Sequence, residues 1–158
     1  MSVLDQCGMN PLHLAASLGY TDIVGILLQN RADIDSCSVA TGDTALHLAT
    51  SGDHIKTVQL LLHMGASVNK QNNDGRTCLM IAARHGHLDM CQVLLSYGAK
   101  KGVTDIRGNT ALLLHCTNIR ISTSVIEVLS SNAVIDTVNW DGWWPLLAVV
   151  SGTGCSEK

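Results

Sequence analysis

Glycines at positions 8, 42, 75, 108 and 142 recur at intervals of 34, 33, 33 and 34 residues, and a similar run follows each one. The runs read Asn10-Pro11-Leu12-His13, Thr44-Ala45-Leu46-His47, Thr77-Cys78-Leu79-Met80, Thr110-Ala111-Leu112-Leu113 and Trp144-Pro145-Leu146-Leu147. A second landmark, Ala32, Ala66, Ala99 and Ala133, is spaced 34, 33 and 34. Self-similarity held in register through five copies, across 158 residues, is the signature of a repeat architecture. One such unit is too small to bury its own apolar faces, so copies must stack, each touching only its neighbours.

The unit itself follows from local chemistry. Asn10, Thr44, Thr77 and Thr110 suit the N-cap, where a side-chain oxygen accepts an amide hydrogen of the first helical turn. Pro11 falls at the next position, where its missing N–H costs nothing. Leu12, Leu14, Ala15 and Ala16 then give a short helix with one apolar side, and Gly19 stops it. Ile23, Val24, Ile26, Leu27 and Leu28 carry the 3.6-residue period of a second helix. Gly65-Ala66 and Gly98-Ala99 supply a left-handed position to end that helix, and residues 67–74, rich in Asn and Asp, read as an extended turn. Each repeat is therefore expected to be helix, turn, helix, hairpin-like loop.

These residues resemble the ankyrin repeat. The match is carried by 10–16 (NPLHLAA), 44–49 (TALHLA), Gly86-His87 followed by Val93-Leu94-Leu95, and 65–69 (GASVN), and it extends from about Asp5 to Val150. The resemblance implies an all-α solenoid of stacked helix-turn-helix units joined by hairpin-like loops. A single array over 1–158 divides into repeats at 5–38, 39–71, 72–104 and 105–138, with a partial fifth at 139–158. In such repeats the motif histidine acts as a hydrogen-bonding wedge between neighbours. It is present as His13 and His47, but Met80, Leu113 and Leu147 replace it, so the later repeats are expected to lean on apolar packing. Repeat four has one extra residue between its helices and lacks the stopping glycine. Its 118–124 stretch, Asn-Ile-Arg-Ile-Ser-Thr-Ser, is a poor helix former and is expected to be the loosest turn. The chain starts directly at a repeat and closes soon after the first helix of the fifth, leaving Leu146, Leu147, Val149 and Val150 on a last face. The expectation is a piece or isoform of a longer array, with that face available for docking or self-association.

Composition narrows the function. The chain is 46% hydrophobic but only 3% aromatic, with a formal charge of −3, so no overall basic field invites nucleic acid. The longest uncharged apolar run, 143–150, is too short to span a membrane. The six cysteines (7, 37, 78, 91, 116 and 155) show no paired short spacing and read as reduced thiols of a cytoplasmic or nuclear protein. Cys78 and Cys116 stand where the repeat wants small residues and read as buried fillers. His85, His87 and Cys91 are the nearest thing to a metal cluster, yet no CxxC or HxxxH accompanies them, so no metal or other cofactor is expected. No phosphate-cradling glycine loop occurs either, and the chain reads as non-catalytic.

Binding remains. The resemblance places the partner surface on the concave side, at the loop tips and the outward positions of the first helices. There Arg76, Arg84 and Arg107 stand among Asn73, Asp74, His85 and Asn109, with Lys70, Lys100 and Lys101 on adjoining loops and Trp140 and Trp143 following. Arginine and tryptophan dominate binding hot spots. The expected partner is a protein or extended peptide lying across repeats three to five, acidic against the arginines and apolar near the tryptophans. A phosphorylated segment suits the arginines equally. As an alternative, those tryptophans cover the open end of the core. The resemblance also implies a possible substrate for an asparagine hydroxylase at Asn69, following Val68. A second functional reading is the substrate-recognition part of a ubiquitin-ligase receptor, since Thr77-Cys78-Leu79-Met80 is similar to a stretch of the FEM family; its effector part would lie outside this chain.

Overall fold

A computed structural model describes residues 8–117, 121–130 and 139–142. Within them the chain is all-α, with eight helices arranged as four antiparallel pairs and no strand. The first pair is α1 (Pro11–Ser17) and α2 (Thr21–Gln29), and the second is α3 (Ala45–Ser51) and α4 (Ile55–His63). The third is α5 (Cys78–His85) and α6 (Leu88–Ser96), and the fourth is α7 (Ala111–Cys116) and α8 (Thr123–Ser130). Helices α1, α3, α5 and α7 pack in series as an inner layer, and α2, α4, α6 and α8 pack in series behind them.

All four expected N-caps form. Asn10, Thr44, Thr77 and Thr110 take extended backbone, and each side chain accepts the N–H of the residue three on. In the first two repeats that residue is histidine, and its ring returns the favour. His13 Nδ1 accepts the Asn10 N–H at 3.2 Å and His47 Nδ1 accepts the Thr44 N–H at 3.2 Å. With Nδ1 accepting, the proton sits on Nε2, which donates to the Ser36 carbonyl at 2.8 Å from His13 and to the Arg76 carbonyl at 3.1 Å from His47. The wedge is thus a two-ended clamp, and from His47 it reaches into the third repeat. Met80 and Leu113, in the same place, are fully buried and hold their neighbours by packing alone.

The core is a ladder of equivalent positions. Leu12, Leu46, Leu79 and Leu112 are buried from repeat to repeat, as are Val58, Leu61, Met90 and Leu94 on the outer helices. Cys78, Cys91 and Cys116 are free thiols in that core, which agrees with the filler reading. His115 was not singled out by its spacing. It occupies the place of Ala49 and Ala82, is fully buried, and reaches two backbone sites. Its Nε2 accepts the Ser122 N–H at 3.0 Å, so Nδ1 carries the proton and donates to the Ala83 carbonyl at 2.7 Å. That histidine secures the far side of the repeat-four turn to repeat three, while the turn residues 118–120 lie outside the described residues.

The hairpins form a continuous rail. Asn73 N–H donates to the Thr41 carbonyl at 3.0 Å, Ile106 to Asp74 at 3.1 Å, and Trp140 to Arg107 at 3.3 Å. Gly75 shows why this needs glycine. It has φ +72°, and a Cβ there would stand 2.8 Å from the Ile106 nitrogen of the next hairpin. Gly65 and Gly98 end the outer helices in the left-handed conformation, as expected. In the first repeat Arg31 takes that role with φ +63°, and Asp53 does so, with φ +56°, at the turn where Gly19 and Gly86 serve their repeats.

Candidate partner-binding groove

Two hollows lie between the hairpin rail and the inner helices. The larger, of about 590 Å³, is lined by Arg76, Arg84, His85, Arg107 and Asn109 together with Asp105, Leu114, Thr117, Asn139 and Asp141. The smaller, of about 280 Å³, shares Arg76, Arg84 and His85 and adds Thr41 and Asp43 of repeat two and Asp74 of repeat three, among others. Three shared residues make these one groove crossing the hairpins and inner helices of successive repeats. Its floor is an apolar row four residues after each N-cap: Leu48, Ile81 and Leu114, continued by Leu14 in repeat one. This row is legible in the sequence as a fourth periodic position but was submerged in the general apolar content of the helices.

The repeat period brings Arg76, Arg84, His85, Arg107 and Asn109 together and sets Asp74 beside them, 3.3 Å from Arg76. Asn73 does not line the groove. It is a rail residue, its side chain packed where a Cβ on Gly42 would fall 2.3 Å from its Oδ1. Trp140 lies at a hairpin tip with 80% of its surface exposed, its ring edge against Gly108. Trp143 and the terminal face formed by Leu146, Leu147, Val149 and Val150 lie outside the described residues. Two of the lysines turn elsewhere: Lys70 Nζ donates to the Asp35 carbonyl at 2.6 Å and Lys101 Nζ to the Val128 carbonyl at 2.7 Å. Both are spent on the backbone of the repeat stack, and the positive charge of the groove comes from arginine.

Asp105 went unnoticed in the sequence. It is buried, and its carboxylate accepts N–H bonds from Arg107 at 2.9 Å, from the Asn109 backbone at 2.8 Å and from Asn109 Nδ2 at 3.1 Å. Those bonds hold the hairpin that presents Arg107. Asn72 does the same one repeat earlier, its Oδ1 accepting the N–H of Asp74 at 3.1 Å and of Arg76 at 2.9 Å. An Asp or Asn three residues before Gly75, Gly108 and Gly142 is the local signal for this turn, and Val39 stands there before Gly42.

Asn69 uses both ends of its side chain across the repeat boundary. Its Nδ2 donates to the Gly98 carbonyl at 3.1 Å, and its Oδ1 accepts the Lys100 N–H at 2.8 Å.

Burial pushes the Cys78 and Cys91 thiols up to about 12 and raises Cys116, so none supplies a thiolate near neutrality. Burial also lowers His47 below the ordinary histidine value, against the opposing pull of Asp43. His87, adjoining the groove, stacks on His85 with ring centroids 5.5 Å apart and has Nδ1 3.4 Å from Asp53. Cys91 is fully buried, and no three His, Cys, Asp or Glu side chains converge on a common metal position among the described residues.

Comparison with known proteins agrees with the architecture. The family model described as ankyrin repeats matches in three copies over residues 1–72 and 36–105. An ankyrin-repeat protein of fowlpox virus is 44% identical over 69 residues, covering 44% of this chain and 20% of that protein. The human ankyrin repeat and KH domain-containing protein 1 is 46% identical over 73 residues, or 46% of this chain and 3% of that protein. The human BCL-6 corepressor-like protein 1 is 38% identical over 73 residues, again 46% of this chain and 4% of that protein. The chain spans a fifth or less of the length of these relatives.

Proposed function

This chain belongs to the ankyrin-repeat family, whose modules are generally protein-binding and typically non-catalytic, and we propose that it captures one extended peptide segment of a partner protein in the groove of repeats three to five. The segment is acidic where it meets Arg76, Arg84 and Arg107 and apolar where it meets Ile106 and Trp140. The observation that carries this reading is the merging of the two hollows through Arg76, Arg84 and His85 into one groove beside a hydrogen-bonded rail. A preordered rail reduces the ordering cost of binding, and an extended ligand matches its length. Ile106 and Trp140 stand on successive tips of that rail, 55% and 80% exposed, where an apolar ligand residue would cover both. The unpaired thiols in the core favour a reducing compartment, so the site of action is the cytoplasm or the nucleus.

The test is a selection of short random peptides displayed against the chain, followed by affinity measurement on single variants. Selected peptides should be enriched in acidic and apolar residues, and Arg84→Ala and Trp140→Ala should each weaken binding at least several-fold with the thermal transition unchanged. Selected peptides that bind both variants as tightly as the parent place the partner surface elsewhere. A Trp140→Ala variant that loses stability but not affinity would instead make the tryptophan a cover for the core. Hydroxylation of Asn69 is proposed on resemblance alone, and intact mass of its peptide after treatment with an asparagine hydroxylase decides it.

A further inference from the structure

The acidic and basic side chains of the groove are not equally occupied. Asp105 already accepts three N–H bonds, Asp43 accepts from Asn72 Nδ2 at 2.8 Å and from the Thr41 hydroxyl, and Asp74 is paired with Arg76. These three carboxylates are thus engaged within the protein, and Asp141 also borders the larger hollow. Two of the guanidinium groups, those of Arg76 and Arg107, are in a different condition. Arg76 holds Asp74 through Nη1 alone, and its Nε is buried with no acceptor. Arg107 has its backbone N–H and carbonyl engaged, but its guanidinium meets no acceptor among the described residues.

A buried donor without an acceptor is an expensive state, because its water has been removed and nothing replaces it. A small turn of Arg76 that offers Nε and an Nη side by side to an incoming oxyanion removes this defect, and the two-pronged contact is the one guanidinium makes best. Arg84, from the last turn of α5, and Arg107, from the following hairpin, border the same hollow. Three guanidinium groups on three separately anchored pieces of backbone suit an anion with three acceptor oxygens and nearly two charges. A carboxylate offers two oxygens and one charge.

We infer that the larger hollow is a phosphoryl site, taking the phosphorylated serine or threonine of the extended peptide held in the groove. The inference rests on the groove reading above and makes it more specific. Exposed Ile106 and Trp140 stand on the rail flanking Arg107, so the phosphorylated residue has an apolar residue close to it in the ligand. The hairpin carrying Arg107 is held from below by Asp105, so the guanidinium is presented from rigid backbone.

Three oriented peptide libraries test it, identical except for a fixed central phosphoserine, serine or glutamate. The chain should retain the phosphoserine library at least ten-fold more strongly than either of the others. Arg107→Ala, whose guanidinium has no acceptor among the described residues, should remove most of that preference with an unchanged thermal transition, and Arg107→Lys should restore only part of it. Equal retention of the phosphoserine and glutamate libraries, both sensitive to Arg107→Ala, overturns the phosphoryl assignment and leaves the groove reading standing. Equal retention of the phosphoserine and serine libraries does the same. A phosphoserine preference that survives both Arg84→Ala and Arg107→Ala puts the anion site elsewhere and defeats both readings. No retention of any library overturns the phosphoryl site, and the displayed-peptide selection then decides the groove.

Discussion

His47 offers the most direct test of how this stack is held together. Its ring accepts the Thr44 N–H and donates to the Arg76 carbonyl, so both functions require the neutral imidazole. It is 1% exposed, and burial lowers its pKa from the ordinary 6.5. The sign follows from proton counting. Below pH 6.5 the unfolded chain takes up a proton at this residue that the folded chain refuses, so stability is fully present above 6.5 and is lost as pH falls. If the folded ring stays neutral, the loss attributable to His47 is about 1.4 kcal/mol one pH unit below that value. The perturbation is His47→Leu, which installs the residue found at the equivalent place, Leu113, where packing alone suffices. Near neutral pH the variant leaves the Thr44 N–H and the Arg76 carbonyl without their partner and should be less stable by about 1–3 kcal/mol, partly offset by apolar burial. Urea unfolding followed by circular dichroism at several pH values supplies both quantities. Wild type should lose its advantage over the variant as pH is lowered from 7.5 towards 5. A difference between the two curves that is flat with pH would refute the assignment of the neutral, two-ended clamp.

Other perturbations report on the backbone and the core. Gly75→Ala combines a left-handed backbone with a Cβ placed 2.8 Å from the Ile106 nitrogen and should destabilise by about 1–3 kcal/mol, read from the urea midpoint; a change within error would mean that the rail yields freely. Arg31→Gly relieves the left-handed arginine at the position filled by Gly65 and Gly98, and should raise stability by up to about 1 kcal/mol after the entropic cost of a new glycine, read as a higher urea midpoint. Iodoacetamide labelling of the native chain with peptide mapping should modify Cys37 well before Cys78, Cys91 and Cys116, whose burial and raised pKa values deny the reagent a thiolate. Rapid native labelling at Cys91 would contradict the packing of α6 against its neighbours.

Repeat length, helix pairing, the N-caps and the leucine ladder could all be read from the linear chain. Each depends on residues within one turn of one another, or on a period that every copy repeats. The same period set Arg76 and Arg107 near each other, because they flank the glycines of successive hairpins, which must neighbour one another once the repeats stack, and Arg84 borders the same hollow from α5. Other decisions came only with the tertiary structure. Lys70 and Lys101 looked like members of the basic stripe, but each reaches a carbonyl, 35 and 27 residues away in sequence, that no local pattern announces. Asn73 follows the same rule, belonging to the rail because the neighbouring hairpin comes within bonding distance. His115 departs from the alanine of its repeat position, and its meaning emerged only when the stack placed Ala83 O and Ser122 N on either side of its ring. The local chain therefore determined what the units are and how they align. The contacts between units determined which polar groups are consumed in holding the stack and which are left on the groove.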